Sequence, residues 1–196
     1  MHKLNHRLSL TVILLLIIHT TLLSSDRKTR VVIRTESGDI TIRINCRKAP
    51  LTSANFLQYV DARKYDSTFI YRIVRLDNQP DNKIKIEVIQ GGRFEKENDG
   101  FPPVIHENTK MTGLRHMNGT ISMARLEPGT ATSEFFICIG RQRELDFGGK
   151  RNPDGQGFAA FGRVVRGMKV VRNIHSRETP GQYPGKKILI YTISRK

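Results

Sequence analysis

The side chains that most readily do chemistry are sparse in this chain. Beyond the first 25 residues the histidines are His106, His116 and His175, and none lies at ligand spacing from another. A zinc site needs three or four converging ligands, so neither a metal nor another cofactor is expected. Cys46 and Cys138 form no Cys-x-x-Cys pair and allow at most one disulfide. Nucleophilic catalysis needs a serine or cysteine activated by a neighbouring base. Cys138 sits in the apolar run Glu134-Phe135-Phe136-Ile137-Cys138-Ile139, where a buried, inert thiol is the better account. Gly91-Gly92 and Gly148-Gly149 neither open a helix nor end in Gly-Lys-Ser/Thr, so they are not phosphate loops. Metal catalysis, covalent catalysis and nucleotide hydrolysis are all poorly supported.

What stands out instead is charge. The 196 residues hold 33 Lys and Arg against 18 Asp and Glu, a formal net charge of +15. Such a balance raises nucleic-acid or anionic-surface binding. The basic runs, however, such as Arg141-Gln142-Arg143 and Lys186-Lys187, are short, scattered and free of aromatic interleaving, so a solvated face accounts for them better and no nucleic acid is expected. At 38% hydrophobic and 26% charged residues the composition is that of a globular domain, and the length suffices for one real core without disulfide staples.

The elements that must position any site begin after a distinct leader. In residues 1–25, Lys3 and Arg7 precede the apolar run Leu8 to Leu23, interrupted by His19-Thr20-Thr21 and followed by Ser24-Ser25. This pattern reads as a signal peptide or an N-terminal membrane anchor, with a tether through residues 8–23 in the second case. Either way residues 26–196 are expected outside the cytoplasm, in the periplasm or cell envelope. The leader contributes two basic residues and no acidic ones, so the positive excess belongs to the rest of the chain.

From Arg30 onward the pattern is β-rich. Residues 31–35 and the alternating Ile40-Thr41-Ile42-Arg43-Ile44 flank a turn, as two antiparallel strands would. Pro50, Leu51, Ala54, Phe56, Leu57 and Val60 have helical spacing with Pro near the first helical position. Further strands are expected at Ser67–Val74, Ile84–Gln90, Thr120–Ala124, Glu134–Ile139, Gly157–Val165 and Lys187–Ser194, and a second helix near Gly167 to Ile174. Eight strands and two helices without strand–helix alternation give a mainly β antiparallel barrel or sandwich with helices outside it. The turn-rich stretches 77–82 and 148–157 are expected as exposed loops.

Over residues 30–194 the ordered motifs Gly38-Asp39-Ile40, Ala49-Pro50-x-Thr52-x-x-Asn55-Phe56, Tyr71-Arg72-Ile73-Val74, Ile89-Gln90-Gly91-Gly92, Gly119-Thr120-Ile121-Ser122-Met123-Ala124, Ser133-Glu134-Phe135-Phe136-Ile137, Leu145-Asp146 and Phe161-Gly162-Arg163-Val164-Val165 resemble the cyclophilins, a family of peptidyl-prolyl cis-trans isomerases. The chain looks like a divergent, exported bacterial member. The resemblance implies a closed eight-stranded antiparallel barrel with two covering helices, acting on proline-containing segments; with the leader these are expected to belong to exported proteins, and the chain is expected to be a monomer. By the same resemblance Arg72 supplies the catalytic hydrogen bond and Gln90 orients it. Val88, Phe136 and Leu145 then form the proline pocket, and Ala124-Arg125 pairs with the peptide backbone. Met123 is read as plain core.

Departures from the family pattern are also visible. Ile70-Tyr71-Arg72 stands for Phe-His-Arg, and Glu87-Val88 for an aromatic-Met pair, so a shallower proline pocket is expected. Glu134 stands where a Gln is usual, close enough to Arg72 either to hold the guanidinium or to neutralise its field. Phe158 replaces a common His beside the pocket, and residues 77–83 are an insertion. These departures motivate the competing reading, a proline-peptide binding module of the same fold with little catalysis.

Overall fold

The computed structural model describes residues 29–94 and 100–196; the leader of residues 1–25 lies outside them. Eight strands, β1 (Arg30–Thr35), β2 (Gly38–Ile44), β3 (Thr68–Val74), β4 (Val88–Gly92), β5 (Thr120–Met123), β6 (Phe135–Cys138), β7 (Ala159–Arg166) and β8 (Ile188–Arg195), form a closed antiparallel barrel in the order β1-β2-β7-β5-β6-β4-β3-β8. The alternation read in β2 has its physical cause here: Ile40, Ile42 and Ile44 point into the barrel and are buried, while Asp39 and Arg43 are exposed.

The interior is solid. Ile33, Ile73, Ile89, Ile121, Ile137 and Ile193 meet from different strands, each no more than 1% exposed. Helix α1 (Pro50–Asp61) seals one end, with Pro in its first turn and Phe56, Leu57, Tyr59 and Val60 facing inward. Its N-cap position, Ala49, offers no side-chain acceptor. The buried Glu107 carboxylate takes that part, accepting from the backbone N and Oγ1 of Thr52 at 2.7 Å each, a negative group at a helix start. Helix α3 (Met168–His175) starts after Gly167, whose φ of 93° and close approach to the Asp39 carbonyl exclude a side chain.

Three expectations need correction. The described helices number three rather than two, because Thr109–Thr112 forms a single turn, α2. One turn carries no periodicity; its only sequence sign is Asn108, whose side chain accepts from Lys110 N and Met111 N, with Gly113 closing the turn at φ 68°. The strand expected from Ile84 begins at Val88 instead. Gln79 intercepts the earlier residues, its Nε2 donating to Ile86 O at 2.8 Å and its Oε1 accepting from Ile86 N at 3.3 Å. For the same reason the 77–82 stretch is not simply an exposed loop: Asn78 and Gln79 are buried.

Candidate active site

Strand alternation would send Arg72 into the barrel, since Ile70 faces the core. It does not, because the β3–β4 register shifts by one residue between Ile70↔Gly91 and Arg72↔Gln90. The extra residue of this bulge lets Tyr71 and Arg72 both lie on the outer wall while Ile70 and Ile73 both stay buried inside. Across that wall the register continues Arg72↔Gln90↔Phe136↔Ser122, and one step along it Val74↔Val88↔Cys138.

The second row belongs to an apolar cluster separate from the barrel core. It contains Val74, Ile86, Val88, Phe136, Cys138 and Leu145, with Ala124 and Phe158 packed against it. Phe136 meets Phe158 edge-on at 5.3 Å between ring centroids. The pocket residues expected from the sequence are therefore brought together, beside Arg72 and Gln90. Burial pushes the Cys138 thiol up, in keeping with an inert core thiol. Met123 packs in the main core, as read.

Hydrogen bonds fix how the arginine is held. Arg72 Nη1 donates to Gln90 Oε1 at 2.9 Å, and Nε and Nη2 both donate to Gln182 Oε1, at 2.9 and 2.7 Å. Three of the five N–H donors of a guanidinium are then engaged, and two remain for a substrate. Glu134 does not reach Arg72. Its Oε2 accepts from the Tyr71 hydroxyl at 2.6 Å, so the Tyr71 oxygen accepts from Gln90 Nε2 at 2.7 Å. A carboxylate can only accept, which forces this direction on the whole chain and turns Gln90 Oε1 toward Arg72. Burial, then the adjacent Glu134 charge, raises the Tyr71 pKa, keeping the phenol protonated as the relay requires.

Gln182 had no sequence signal. It lies 110 residues from Arg72 in a turn-rich loop, and the packing of two loops puts it there. Asn78 Nδ2 donates to Gly181 O at 2.8 Å, Gln182 Nε2 to Asn78 O at 3.3 Å, and Ile73 N to Gln182 O at 2.8 Å. The insertion thus clamps the loop that clamps the arginine. Gln182→Ala is expected to lower kcat about tenfold with KM and Tm little changed, since a hydrogen bond to a charged group is worth about 1.5–3 kcal/mol. Steady-state kinetics checks this, and an unchanged kcat removes Gln182 from the site. Arg151, also missed, donates to Gln79 Oε1 and Ile84 O; burial and then the Arg72 charge lower its pKa, a second cation near the pocket.

The role expected of Arg125 is a backbone one, and its side chain does not contradict it. Its side chain, 1% exposed, is spent on the protein, donating to Asp154 at 2.7 and 3.0 Å and to Gly157 O, with its guanidinium 5.2 Å from the Phe158 ring centroid. Its backbone remains to meet a peptide, together with the carbonyl of Ala124, whose N–H already donates to Glu134 O at 2.8 Å.

Behind the pocket Ser122, His116 and Asp146 form a chain that looks like a nucleophile triad. His116 Nδ1 lies 2.8 Å from Asp146 Oδ1 and Nε2 lies 2.9 Å from Ser122 Oγ. Ser122 is fully buried, and the His116 ring stacks on Phe136 at 5.9 Å, so no substrate reaches the hydroxyl and the chain serves to back the pocket wall. Burial lowers the His116 pKa despite the Asp146 contacts. Because the unfolded histidine takes up a proton first, stability is lost as pH falls below about 6.5. Tm is expected to decline between pH 7 and pH 5, and less steeply in His116→Gln; parallel thermal melts across that range check it.

Barrel and wall together define a class: a solid-cored antiparallel barrel whose functional groups sit on its outside, the architecture of the cyclophilin fold. The family model described as cyclophilin type peptidyl-prolyl cis-trans isomerase/CLD matches residues 30–195, and the chain belongs to that family of isomerases. It is 35% identical over 176 residues to peptidyl-prolyl cis-trans isomerase A of Dickeya dadantii, covering 85% of this chain and 84% of that one. To peptidyl-prolyl cis-trans isomerase B of Escherichia coli it is 36% identical over 148 residues, covering 74% and 82%. Among solved structures, a cyclophilin type peptidyl-prolyl cis-trans isomerase of Cryptosporidium parvum superposes with a TM-score of 0.66 at 20% identity, over 86% of this chain and 97% of that one. A second structure of that protein, in the presence of the dipeptide Ala-Pro, gives 0.65 at 21% identity, over 85% and 98%.

Proposed function

We propose that this isomerase accelerates X-Pro rotation in exported proteins, with Arg72 as the catalytic residue and Val88, Phe136 and Leu145 as the seat of the proline ring. The uncatalysed rotation is slow because it breaks amide resonance, a barrier of ~18–20 kcal/mol. In the twisted amide the proline nitrogen regains a lone pair that accepts a hydrogen bond. A donor fixed in advance at that point stabilises the transition state over either ground state, and no covalent step is needed.

The observation that carries the reading is the tethering of Arg72 by Gln90 and Gln182, which leaves two N–H groups beside the apolar cluster. Glu134 bonding to Tyr71 rather than to Arg72 weakens one of the motives for a catalytically weak binding module, and so supports this reading. The test is a protease-coupled or NMR exchange assay on a short Ala-Pro peptide. Wild-type protein is expected to speed cis-to-trans conversion, and no acceleration overturns the reading. Export, and a tether through residues 8–23, follow from the leader's composition, and sequencing the N-terminus of material from membrane and soluble fractions tests them.

A further inference from the structure

Opposite the catalytic wall the barrel carries a row of cations with no structural task. Arg30 and Arg43 are direct cross-strand partners on β1 and β2, and Arg43 and Arg163 on β2 and β7. Lys196, just past β8, donates its backbone N–H to Arg30 O at 3.0 Å and extends the row to a fourth strand. All four side chains are exposed, and among the described residues none has a carboxylate within 4.0 Å or a hydrogen-bonded side-chain partner. Like charges placed opposite one another across strands destabilise a sheet, so folding gives no reason for the row. Arg43 and Arg163 also border a cavity of about 150 Å³ with Arg115 and the exposed Met117 on its wall, an apolar foothold among cations.

We propose that Lys196, Arg30, Arg43 and Arg163 form a docking face for the anionic headgroups of a phospholipid bilayer. Two observations select a bilayer over other polyanions. Arg30 is where the row meets the chain leading back through Arg27-Lys28 to the apolar run Leu8 to Leu23. The seven residues from Ser24 to Arg30 span at most roughly 25 Å, so a membrane holding that run would lie within reach of this face. The second is barrel order: β8, β1, β2 and β7 form one half of the closed circuit, and β5, β6, β4 and β3 the other. Docking by the first half turns Arg72 and its pocket toward the aqueous phase. The inference rests on the proposal that residues 8–23 tether the chain, but its readout is separate.

The full chain is titrated with phosphatidylcholine vesicles and with vesicles containing phosphatidylglycerol, and binding is read by flotation. Phosphatidylcholine reports the apolar run alone; the excess on anionic vesicles reports the face. Each surface cation contributes about fivefold, so the double variant Arg43→Gln/Arg163→Gln is expected to lose about twenty-five-fold of the anionic excess, as is wild type at high salt, with isomerase rate unchanged. Failure to bind phosphatidylcholine removes the tether and leaves the face to be judged on the excess. Equal binding to both vesicles, or an excess indifferent to the variant, overturns the proposal. So does tighter binding to duplex DNA that the variant abolishes, which places nucleic acid on the row.

Discussion

Arg72→Ala is expected to lower kcat/KM on an Ala-Pro peptide by 10²–10³, about 2.7–4 kcal/mol of transition-state stabilisation, the loss seen when one preorganised donor is removed. The fold should be intact, because Arg72 lies on the outer wall and its partners Gln90 and Gln182 are half exposed and can turn to water. Arg72→Lys is expected to recover little. An ammonium keeps the charge but has no planar fork, so it cannot satisfy Gln90 and Gln182 while aiming a further donor at the proline nitrogen. Peptide assays on both variants, with circular dichroism as the control for folding, decide the matter. A rate within threefold of wild type for Arg72→Ala would take the catalytic role away from this residue.

The largest loss of stability is expected from Phe56→Ala. The Phe56 ring is fully buried on α1, with centroids 5.0 Å from Phe161, 5.3 Å from Tyr65 and 5.8 Å from Phe135. It is the contact by which the helix closes that end of the barrel. Truncation removes the transfer free energy of the ring and leaves a cavity that the strands on either side cannot collapse to fill, about 3–5 kcal/mol. At 2–4 °C per kcal/mol for a chain of this size, Tm should fall by roughly 10 °C. Chemical denaturation measures the free energy directly, and a cost below about 1 kcal/mol would mean that the barrel end repacks. Below the new Tm the isomerase rate should persist, since Phe56 lies in the main core and not in the cluster beside Arg72.

Much of this molecule was legible before its coordinates. The isoleucines of β2 and the helical spacing of α1 are direct imprints of burial, and the ordered motifs singled out Arg72, Gln90, Val88, Phe136 and Leu145 before any geometry was known. Three things were not legible. The bulge at Tyr71 has no sign in hydrophobicity, because Ile70-Tyr71-Arg72-Ile73 reads in, out, out, in only once the register is known. Gln182 depends on two loops meeting, and loop contacts leave no periodicity. Glu134 could be placed near Arg72 but not assigned a partner, since a shift of a few ångströms separates a bond to Tyr71 from one to the guanidinium.

The closure of the strand circuit has a consequence for the company this protein keeps. If it acts as proposed, this protein meets exported chains that have yet to fold, with extended segments whose backbone groups are unsatisfied. An open sheet offers such segments an edge on which to add a strand, and one addition can template the next. Here every strand has two neighbours, with β8 returning to β1, so the ladder has no free edge to donate. In the proposed site the backbone left for a peptide is instead the Ala124 carbonyl and Arg125, just past the end of β5. The closed barrel therefore presents no strand edge on which such material could be templated.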